Sequence, residues 1–349
     1  MPVERIVSAT LTDPTEETFN LSLRPRNLDD YVGQPSLVEK LRITLAAVKQ
    51  RGEPMEHVLL HGPPGLGKTT LSHIIAHEMG THATVTAGPA LTKGGDLVGT
   101  LTKLQRGDVL FIDEIHRLPA AVEEFIYPAM EDFKIDFTID TGMHAKTIPI
   151  TLKPFTLIGA TTRAGLLSGP MRSRFGITHN LEFYSEGDLL KILQRSASLL
   201  GVHADAERSE ASGTALQTIA ARSRGTPRIA NRLLRRVRDY AQVKADGRLT
   251  PAVVDEALKL EGVDAIGLDE IDRKYLSVIG TTYEGGPVGL EAVAATLGED
   301  AGTLDSMVEP YLLQIGFLAR TRKGRTLTRA GAQHVGVAYR DADEALFET

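Results

Sequence analysis

The sequence predicts an α/β domain built on a parallel sheet, followed by smaller and mostly helical domains. Three observations lead to this prediction. Short apolar segments alternate with helical patterns as far as about residue 185, an order typical of a parallel sheet. A loop rich in glycine lies between the first apolar segment and the helix that follows it. After residue 185 the apolar segments end and helical patterns dominate.

Composition excludes several classes of protein. Hydrophobic residues make up 42% of the chain and charged residues 24%, as in ordinary globular proteins. The formal net charge is −6, so a surface for nucleic acid must be a local basic patch. Cysteine is absent, which excludes disulfides and thiolate metal sites and agrees with a reducing cytoplasm. The chain begins without an apolar signal sequence and has no apolar run long enough for a membrane span, so we expect neither.

The first predicted helix opens with a capping box at Ser36–Glu39 and ends at Gly52. Its apolar face carries Leu37, Leu41, Leu45 and Val48. A second helix, which follows the glycine-rich loop, ends at Gly80. Buried strands are predicted at His57–His61, Thr84–Thr86, Val109–Ile112 and Phe155–Ile158.

A predicted β-hairpin interrupts this pattern at Lys134–Leu152. Apolar and polar residues alternate from Ile135 to Asp140, a turn follows at Thr141–Gly142, and Thr147–Ile150 forms the second strand. The apolar face of the hairpin either packs on the domain or serves as a contact surface, since exposed insertions often carry function.

The part after residue 185 is predicted to be helical, with one exception. Helical patterns occupy Leu189–Leu200, Thr214–Arg222 and Pro227–Val243. Gly262–Gly267 is predicted to be a linker, and a Gly- and Arg-rich turn with β character is predicted at Phe317–Leu327.

Gly62–Thr69 matches the phosphate-loop pattern G-x-x-x-x-G-K-[ST] between a predicted strand and a helix. Glycines such as Gly65 and Gly67 let backbone N–H groups close around phosphates, and the helix N-terminus adds partial positive charge. Lys68 supplies a full charge near the β- and γ-phosphates, and the Thr69 hydroxyl is a ligand for Mg²⁺. The loop therefore predicts a nucleotide site with Mg²⁺.

Asp113 and Glu114 directly follow the apolar strand at Val109–Ile112, at the end of a parallel sheet where ligand sites lie. Asp113 is placed to hold Mg²⁺ through water, and Glu114 to polarise an attacking water. This pair predicts hydrolysis in addition to nucleotide binding. His73 and His77 stand four residues apart on a predicted helix, but they lack a third ligand and are interpreted as partly buried histidines without a metal.

The order of the remaining motifs resembles that of AAA+ ATPases with a helical lid. A polar residue, Thr162, follows the strand at Phe155–Ile158, where a sensor lies between the acid pair and the γ-phosphate. Arg174 lies in the run Pro170–Gly176, and Gly225–Arg232 opens a later helix.

Longer runs are similar to the RuvB family of branch-migration motors. In the ATPase core these are Leu23–Pro25, Asp30–Gln34, Gly62–Leu71, Phe111–Arg117 and Ile158–Gly165, and in the tail Gly285–Leu290 and Val308–Leu318. The resemblance implies an AAA+ P-loop ATPase core with a parallel sheet, a small all-helical lid and a C-terminal winged-helix domain. The implied boundaries are 1–184, 185–262 and 263–349, with the hairpin inserted at about 134–152.

The resemblance also implies roles for single residues beside the catalytic Lys68, Asp113, Glu114 and Thr162. Arg174 is implied to be an arginine finger that reaches the γ-phosphate of the neighbouring subunit. Arg228 is implied to be a lid sensor that touches phosphate in its own subunit. The other implied ATP contacts are Leu23, Arg24, Gly65, Gly67, Lys68, Thr69, Thr70, Glu131, Asp132, Phe133 and Tyr184, of which Glu131, Asp132 and Phe133 approach from the subunit interface.

The implied substrate is duplex DNA at Holliday junctions, and the implied partners are RuvA, the RuvC resolvase and further copies in a hexameric ring. Ile148 and Ile150 on the hairpin are implied contacts for RuvA. Four cations lie within the six residues of Arg320–Arg325, a density suited to phosphate contact. Arg320 and Arg325 are the predicted DNA contacts. The sequence departs from the family pattern at Ala301, where the family often has arginine.

Two alternatives stay open at the level of the sequence. A clamp-loader subunit or a remodelling ATPase shares much of the ATPase core but lacks the tail motif at Gly286–Leu290. A winged-helix regulator that uses ATP only as a switch needs neither Glu114 nor Arg174.

Overall fold

The computed structural model describes residues 23–138, 147–204 and 214–339. The predicted hairpin turn at Thr141–Gly142 and the polar N-terminal segment lie outside these residues. The chain divides into two compact units, one ending at Tyr184 and the other beginning at Ser185. No helix in the described part of the chain is long and apolar enough to cross a membrane.

The described residues of the first unit form seven strands. They are β1 (Val58–His61), β2 (Ala83–Ala87), β3 (Val109–Asp113), β4 (Lys134–Thr138), β5 (Thr147–Thr151), β6 (Thr156–Thr161) and β7 (Ile177–Asn180). Five of them form one parallel sheet in the order β2-β3-β6-β1-β7. The register aligns His61 of β1 with Thr161 of β6, and Ile112 of β3 with Gly159 of β6. The carboxyl ends of β1, β3 and β6 therefore meet at one edge of the sheet.

Helices pack around this sheet, as predicted for an α/β domain. They are α1 (Pro35–Arg51), α2 (Lys68–Met79), α3 (Gly94–Leu101), α4 (Ala120–Glu131) and α5 (Gly169–Ser173). The buried face of α1 is the predicted one, formed by Leu37, Leu41, Leu45 and Val48. The predicted capping box is wrong: α1 begins at Pro35, whose fixed φ suits a first helical position, and its N-cap Gln34 makes no side-chain cap.

The apolar strands β1, β3 and β6 are buried, as predicted. The segment at Thr84–Thr86 is a strand but not a buried one, because β2 is at the sheet edge and Val85 is 46% exposed. Strand β7 was not predicted, because it lies at the other edge and Ile177–Asn180 is largely polar. The predicted hairpin is present as β4 and β5, which pair antiparallel with Ile135 opposite Ile150.

The second unit begins with four helices and a short strand pair. These are α6 (Glu186–Leu199), α7 (Ala215–Ala221), α8 (Pro227–Lys244) and α9 (Pro251–Leu260), with β8 (His203–Ala204) and β9 (Arg248–Leu249) in parallel. The three predicted helices are confirmed, and Thr214 and Gln217 form a capping box at α7. The prediction that strands stop at residue 185 missed β8 and β9, which have only two residues each.

The rest of the second unit has a core of its own, centred on Tyr275, Leu276 and Leu312. Its elements are α10 (Glu270–Thr281), α11 (Leu290–Leu297), α12 (Ala301–Thr303), α13 (Glu309–Gln314), β10 (Leu318–Thr321), β11 (Gly324–Leu327) and α14 (Arg329–Val335). Strands β10 and β11 form the predicted turn with β character as an antiparallel hairpin, called the wing below.

The predicted linker at Gly262–Gly267 is a hydrogen-bonded turn in the structure. The Gly267 N–H donates to Asp264 O at 3.1 Å, and the Arg224 Nε donates to Gly267 O at 2.6 Å. Arg224 also forms a fully buried ion pair with Asp272 of α10. These contacts tie the helices before the turn to the core that follows it.

Candidate functional site

The glycine-rich loop joins β1 to α2 and turns around three glycines with positive φ, Gly62, Gly65 and Gly67. Only glycine adopts these angles without strain. A Cβ at Gly62 would lie 2.5 Å from Leu181 O, so the loop also packs too closely for a side chain there. Helix α2 starts directly after Gly67, so its first N–H groups point toward the loop, an arrangement that attracts anions.

Lys68 lies at the first position of α2 and is 93% buried, since its relative exposure is 7%. Its ammonium donates to Gly62 O and Pro63 O, each at 2.8 Å. The positive charge is therefore held inside the loop. Thr69 and Thr70 follow on the same turn of α2.

Two tyrosines pack beside this loop. The hydroxyls of Tyr31 and Tyr184 are 2.8 Å apart, and the Tyr184 hydroxyl donates to Leu66 O at 3.1 Å. Burial raises the pKa of Tyr31 well above its ordinary value, so this phenol stays neutral. A Cβ at Gly33 would lie 2.4 Å from the Tyr184 ring, so that glycine makes room for it. Tyr184 was a predicted contact, whereas the role of Tyr31 was missed.

The predicted contacts Leu23 and Arg24 precede α1. Leu23 is buried, and Arg24 lies close enough to His73 of α2 for its charge to add to burial in lowering the pKa of that histidine. His73 is half-buried as predicted, but His77 is exposed. No group of three or more His, Asp or Glu residues that could hold a metal occurs within 23–138, 147–204 or 214–339.

The acid pair ends β3. The Glu114 N–H donates to Asp113 Oδ1 at 2.9 Å, and Glu114 has a left-handed φ of 47°. The Thr162 hydroxyl, just past β6, donates to Glu114 Oε2 at 3.0 Å. The structure thus brings the predicted Glu114 and Thr162 into direct contact at the carboxyl edge of the sheet.

His116 is a second neighbour of Glu114 that the sequence did not indicate. Its Nδ1 lies 3.2 Å from Glu114 Oε2 and 2.8 Å from Thr161 Oγ1. Burial lowers the pKa of His116 more than the nearby Glu114 raises it, so the ring is neutral at neutral pH. No spacing rule separates this histidine from any other in the chain, so only the folded contacts find it.

Arg174 lies at the end of α5 and contacts residues of α4. Its guanidinium is 3.1 Å from Glu131 and lies 4.3 Å from the ring centre of Tyr127. Its Nε is buried and has no hydrogen-bond partner among the described residues. Two residues of the predicted interface set, Arg174 and Glu131, are thus brought together.

The other two members of that set differ in setting. Asp132 is exposed. The Phe133 ring is directed into the first unit's core, at 5.8 Å from the Phe155 ring centre. Arg228 belongs to the second unit, where it is half-buried at the start of α8.

The two predicted hairpin anchors, both on β5, also differ in exposure. Ile148 is 38% exposed. Ile150 is half-buried and packs against the core of the first unit. Ile148 is therefore the more accessible of the two.

The wing carries the predicted DNA contacts in an unexpected setting. Arg320 on β10 and Arg325 on β11 are register partners. Both guanidiniums bond Glu309, a fully buried carboxylate, through Nε at 2.8 Å each. Asp305 accepts a further bond from Arg320 at 2.6 Å. Arg322 and Lys323 at the wing tip are exposed.

Burial raises the pKa of Glu309, but the hydrogen bonds from Arg325, Tyr275 and Arg320 outweigh it and hold the pKa below its ordinary value. Glu309 is therefore ionised at neutral pH. No sequence pattern indicates this role of Glu309, because Glu309 and its arginines are more than ten positions apart.

Three family models match nearly the whole chain. Residues 23–181 match the Holliday junction DNA helicase RuvB P-loop domain, 184–264 the RuvB AAA lid domain, and 265–336 the RuvB C-terminal winged helix domain. A Holliday junction branch migration complex subunit RuvB from Desulfosudis oleivorans is 58% identical over 331 residues, which are 95% of this chain and 94% of that protein.

Solved structures agree with the family models. The Thermotoga maritima RuvB Holliday junction branch migration motor is 50% identical, with a TM-score of 0.81, over 91% of this chain and 100% of that one. A lysine-to-arginine variant of Thermotoga maritima RuvB is 51% identical, with a TM-score of 0.82, over 91% of this chain and 99% of that one.

Proposed function

The chain belongs to the RuvB family, and from this we propose that it hydrolyses ATP to drive branch migration of Holliday junctions in recombination and DNA repair. The observation that carries the hydrolytic part is the contact between Glu114 and Thr162 at the carboxyl ends of β3 and β6. A carboxylate oriented by a hydroxyl from the neighbouring strand is suited to align and activate a water.

The residues present fit a nucleotide with Mg²⁺. The loop supplies glycines with positive φ, the N-terminus of α2 and a buried ammonium, all suited to phosphates. Thr69 and Asp113 supply the hard oxygen donors that Mg²⁺ prefers, Asp113 through water. When bound, Mg²⁺-ATP supplies the phosphoryl group that is transferred to water.

The protein residues then have distinct tasks. Lys68 and the loop N–H groups of Gly65 and Gly67 bind and orient the phosphates, with Thr70 on the same helical turn. Tyr184, Leu23 and Arg24 contact the adenosine part. Glu114 accepts the proton of the attacking water, and Thr162 keeps the carboxylate directed toward the edge of the sheet. The tasks of Lys68, Glu114 and Thr162 follow from charge or hydrogen-bonding capacity. The adenosine contacts rest on the family resemblance.

Completion of the site is proposed to need a second copy of the chain. Arg174 acts in trans on the γ-phosphate, with Glu131, Asp132 and Phe133 on the same face, and Arg228 of the lid acts in cis. The ion pair of Arg174 with Glu131 supports a shared face for these residues. Because the Phe133 ring packs inward, Phe133 contacts a neighbour's nucleotide through its backbone atoms in this proposal. A hexameric ring satisfies this arrangement.

The winged-helix domain and the β-hairpin are proposed to bind DNA and partner proteins. The winged-helix domain at 263–349 contacts phosphates through Arg320 and Arg325, the lid spans 185–262, and the ATPase domain spans 1–184. The hairpin docks RuvA through Ile148 and Ile150, and RuvC joins in a resolvase complex. Since the substrate is chromosomal DNA of a bacterial repair system, we place the protein in the cytoplasm.

The test of hydrolysis is Glu114→Gln in the full-length chain, with the exposed Glu39→Gln of α1 as a matched control. Loss of the base should lower steady-state phosphate release by about 100-fold or more, while binding of a fluorescent ATP analogue is retained. Glu39→Gln should behave as wild type. Turnover of Glu114→Gln close to that of wild type would show that another group activates the water.

A further inference from the structure

We propose that His116 is a positioning residue for hydrolysis, which holds the Glu114 carboxylate together with Thr162. The proposal rests on the proposed ATPase function and adds to it a residue of the run Phe111–Arg117 to which the sequence analysis assigns no role. Three features of the described residues support it: the contacts of Nδ1, the location of its proton, and the rigidity of the turn that carries it.

The Glu114 side chain is held from two elements. From the end of β6, the Thr162 hydroxyl donates to Oε2 at 3.0 Å and to Oε1 at 3.2 Å. From the turn after β3, His116 Nδ1 lies 3.2 Å from Oε2. The His116 side chain is only 8% exposed, whereas that of Glu114 is 30% exposed. The histidine is therefore a fixed internal support, and the carboxylate is the part that remains open to reactants.

We assign the proton of His116 to Nδ1, because Thr161 Oγ1 can serve either tautomer whereas the Glu114 carboxylate can only accept. A carboxylate oxygen can only accept, so an unprotonated Nδ1 would place two lone pairs against each other at 3.2 Å. With the proton on Nδ1, the N–H is shared between Glu114 Oε2 and Thr161 Oγ1, which lies at 2.8 Å. Thr161 also accepts the Arg163 N–H at 3.0 Å. A neutral donor of this kind orients the carboxylate and leaves it basic. A cation in the same place would lower the pKa of the carboxyl group and so weaken it as a base.

The turn that carries His116 has little freedom to move. Ile115 is buried against β6, where a Cβ at Gly159 would lie 3.0 Å from its side chain. On the other side, a Cβ at Gly88 would lie 2.5 Å from Glu114 O. Because the turn is closely packed on both sides, the His116 imidazole is fixed relative to β6, and the Glu114 carboxylate that it contacts is fixed with it.

The experiment compares His116→Asn with His116→Leu in the full-length chain. Asparagine keeps an N–H donor near the position of Nδ1, and leucine removes it at similar size. The buried His57, which accepts the Leu157 N–H at 2.8 Å in the same unit, provides a matched control as His57→Leu. ATP hydrolysis gives kcat and KM, and thermal unfolding is measured for each variant.

His116→Leu should lower kcat about tenfold with KM changed less than about twofold, because a displaced base affects the transition state and not ATP binding. His116→Asn should restore most of kcat, and His57→Leu should lower the unfolding temperature without this selective loss of kcat. If the leucine variant does not fold, His116→Ala, which adds no bulk, takes its place.

Three results would overturn the proposal: a wild-type kcat in His116→Leu, a loss that His116→Asn does not restore, or a change confined to KM. These outcomes differ from failure of the proposed function itself. In that case the wild-type chain would not hydrolyse ATP, or Glu114→Gln would hydrolyse it normally.

Discussion

Glu114 lies at the proposed active site with an unusual backbone conformation. Its φ of 47° is left-handed, a conformation that costs energy for a residue with a side chain. Such strain persists only where the surrounding structure enforces it. Here Gly88 packs directly on its carbonyl, and hydrogen bonds from Thr162 hold its carboxylate.

Gly88→Ala tests whether this packing matters for turnover. The added methyl would lie 2.5 Å from Glu114 O, a backbone atom that can move only with the turn. Hydrolysis should fall about tenfold, as expected for a displaced catalytic group, and stability should fall by about 1–3 kcal/mol from overpacking. Gly95→Ala on α3, where an added Cβ meets nothing within 4 Å, should leave hydrolysis unchanged and should not lower stability, since alanine favours the helix. Equal kcat in the two variants would show that the Gly88 contact does not position Glu114.

Residues with a sequence pattern of their own could be predicted, whereas their supporting residues could not. Lys68 follows from the phosphate-loop pattern, and Asp113 and Glu114 follow from their place at the end of a buried strand, where ligand sites of parallel sheets lie. Thr162 and Arg174 needed the family resemblance as well. Tyr31 contacts Tyr184 and His116 contacts Thr161 across distant segments, and no local spacing encodes such contacts.

At the level of elements, the wing joins two basic strands over one buried carboxylate. Glu309 is fully buried and binds Arg320, Arg325 and Tyr275. A buried charge of this kind is stable only when it is fully paired. The ion pairs fix both guanidiniums side by side before any DNA is bound.

This pairing predicts a pH dependence of stability. The pKa of Glu309 is lower in the folded chain than its ordinary value, so the group stabilises the fold above that ordinary value. The contribution is lost as pH falls through the lower, folded pKa. Unfolding temperatures measured from about pH 7 down to about pH 3 should drop less steeply for Glu309→Gln than for wild type. If the unfolding temperatures of wild type and Glu309→Gln fall equally with pH, Glu309 does not contribute to the pH dependence of stability.

The proposed phosphate contacts predict a salt dependence. Arg325→Ala should weaken binding to all duplex sequences about equally, because phosphate contacts read no sequence. The slope of log K against log salt should decrease in magnitude by about 0.9 for each lost contact. Lys259→Ala on α9 serves as a cation control. If Arg325→Ala keeps the wild-type affinity and slope, Arg325 has only its structural bonds to Glu309.

Elements with a strong apolar pattern were predicted well, and edge elements were not. The central strands β1, β3 and β6 and the amphipathic α1 follow from burial, which selects apolar residues at fixed spacing. β7 escaped prediction because an edge strand needs few apolar residues. The turn at Gly262–Gly267 resembled a linker in composition, but its hydrogen bonds to Arg224 come from a distant part of the chain.

At the scale of the whole molecule, the proposed active sites form between copies of the chain. Rings mixed from Arg174→Ala and Glu114→Gln subunits test this directly. Alone, Arg174→Ala should hydrolyse ATP about 10³-fold or more slowly than wild type. Alone, Glu114→Gln should hydrolyse it about 100-fold or more slowly. In mixtures, an Arg174→Ala subunit with an intact Glu114 receives its arginine from a Glu114→Gln neighbour, so activity should recover. Mixed rings without recovery would place Arg174 outside the neighbour's site.

In the proposed mechanism, ATP hydrolysis at Glu114 moves the junction. The most direct measurement is migration of a synthetic four-way DNA junction by the full-length chain with RuvA, followed by the appearance of separated duplex products. Wild type should form these products only with ATP and Mg²⁺, and Glu114→Gln should bind ATP and the RuvA–junction complex without forming them. Product formation by Glu114→Gln at the wild-type rate, or a wild-type chain that hydrolyses ATP on the junction without moving it, would contradict the account.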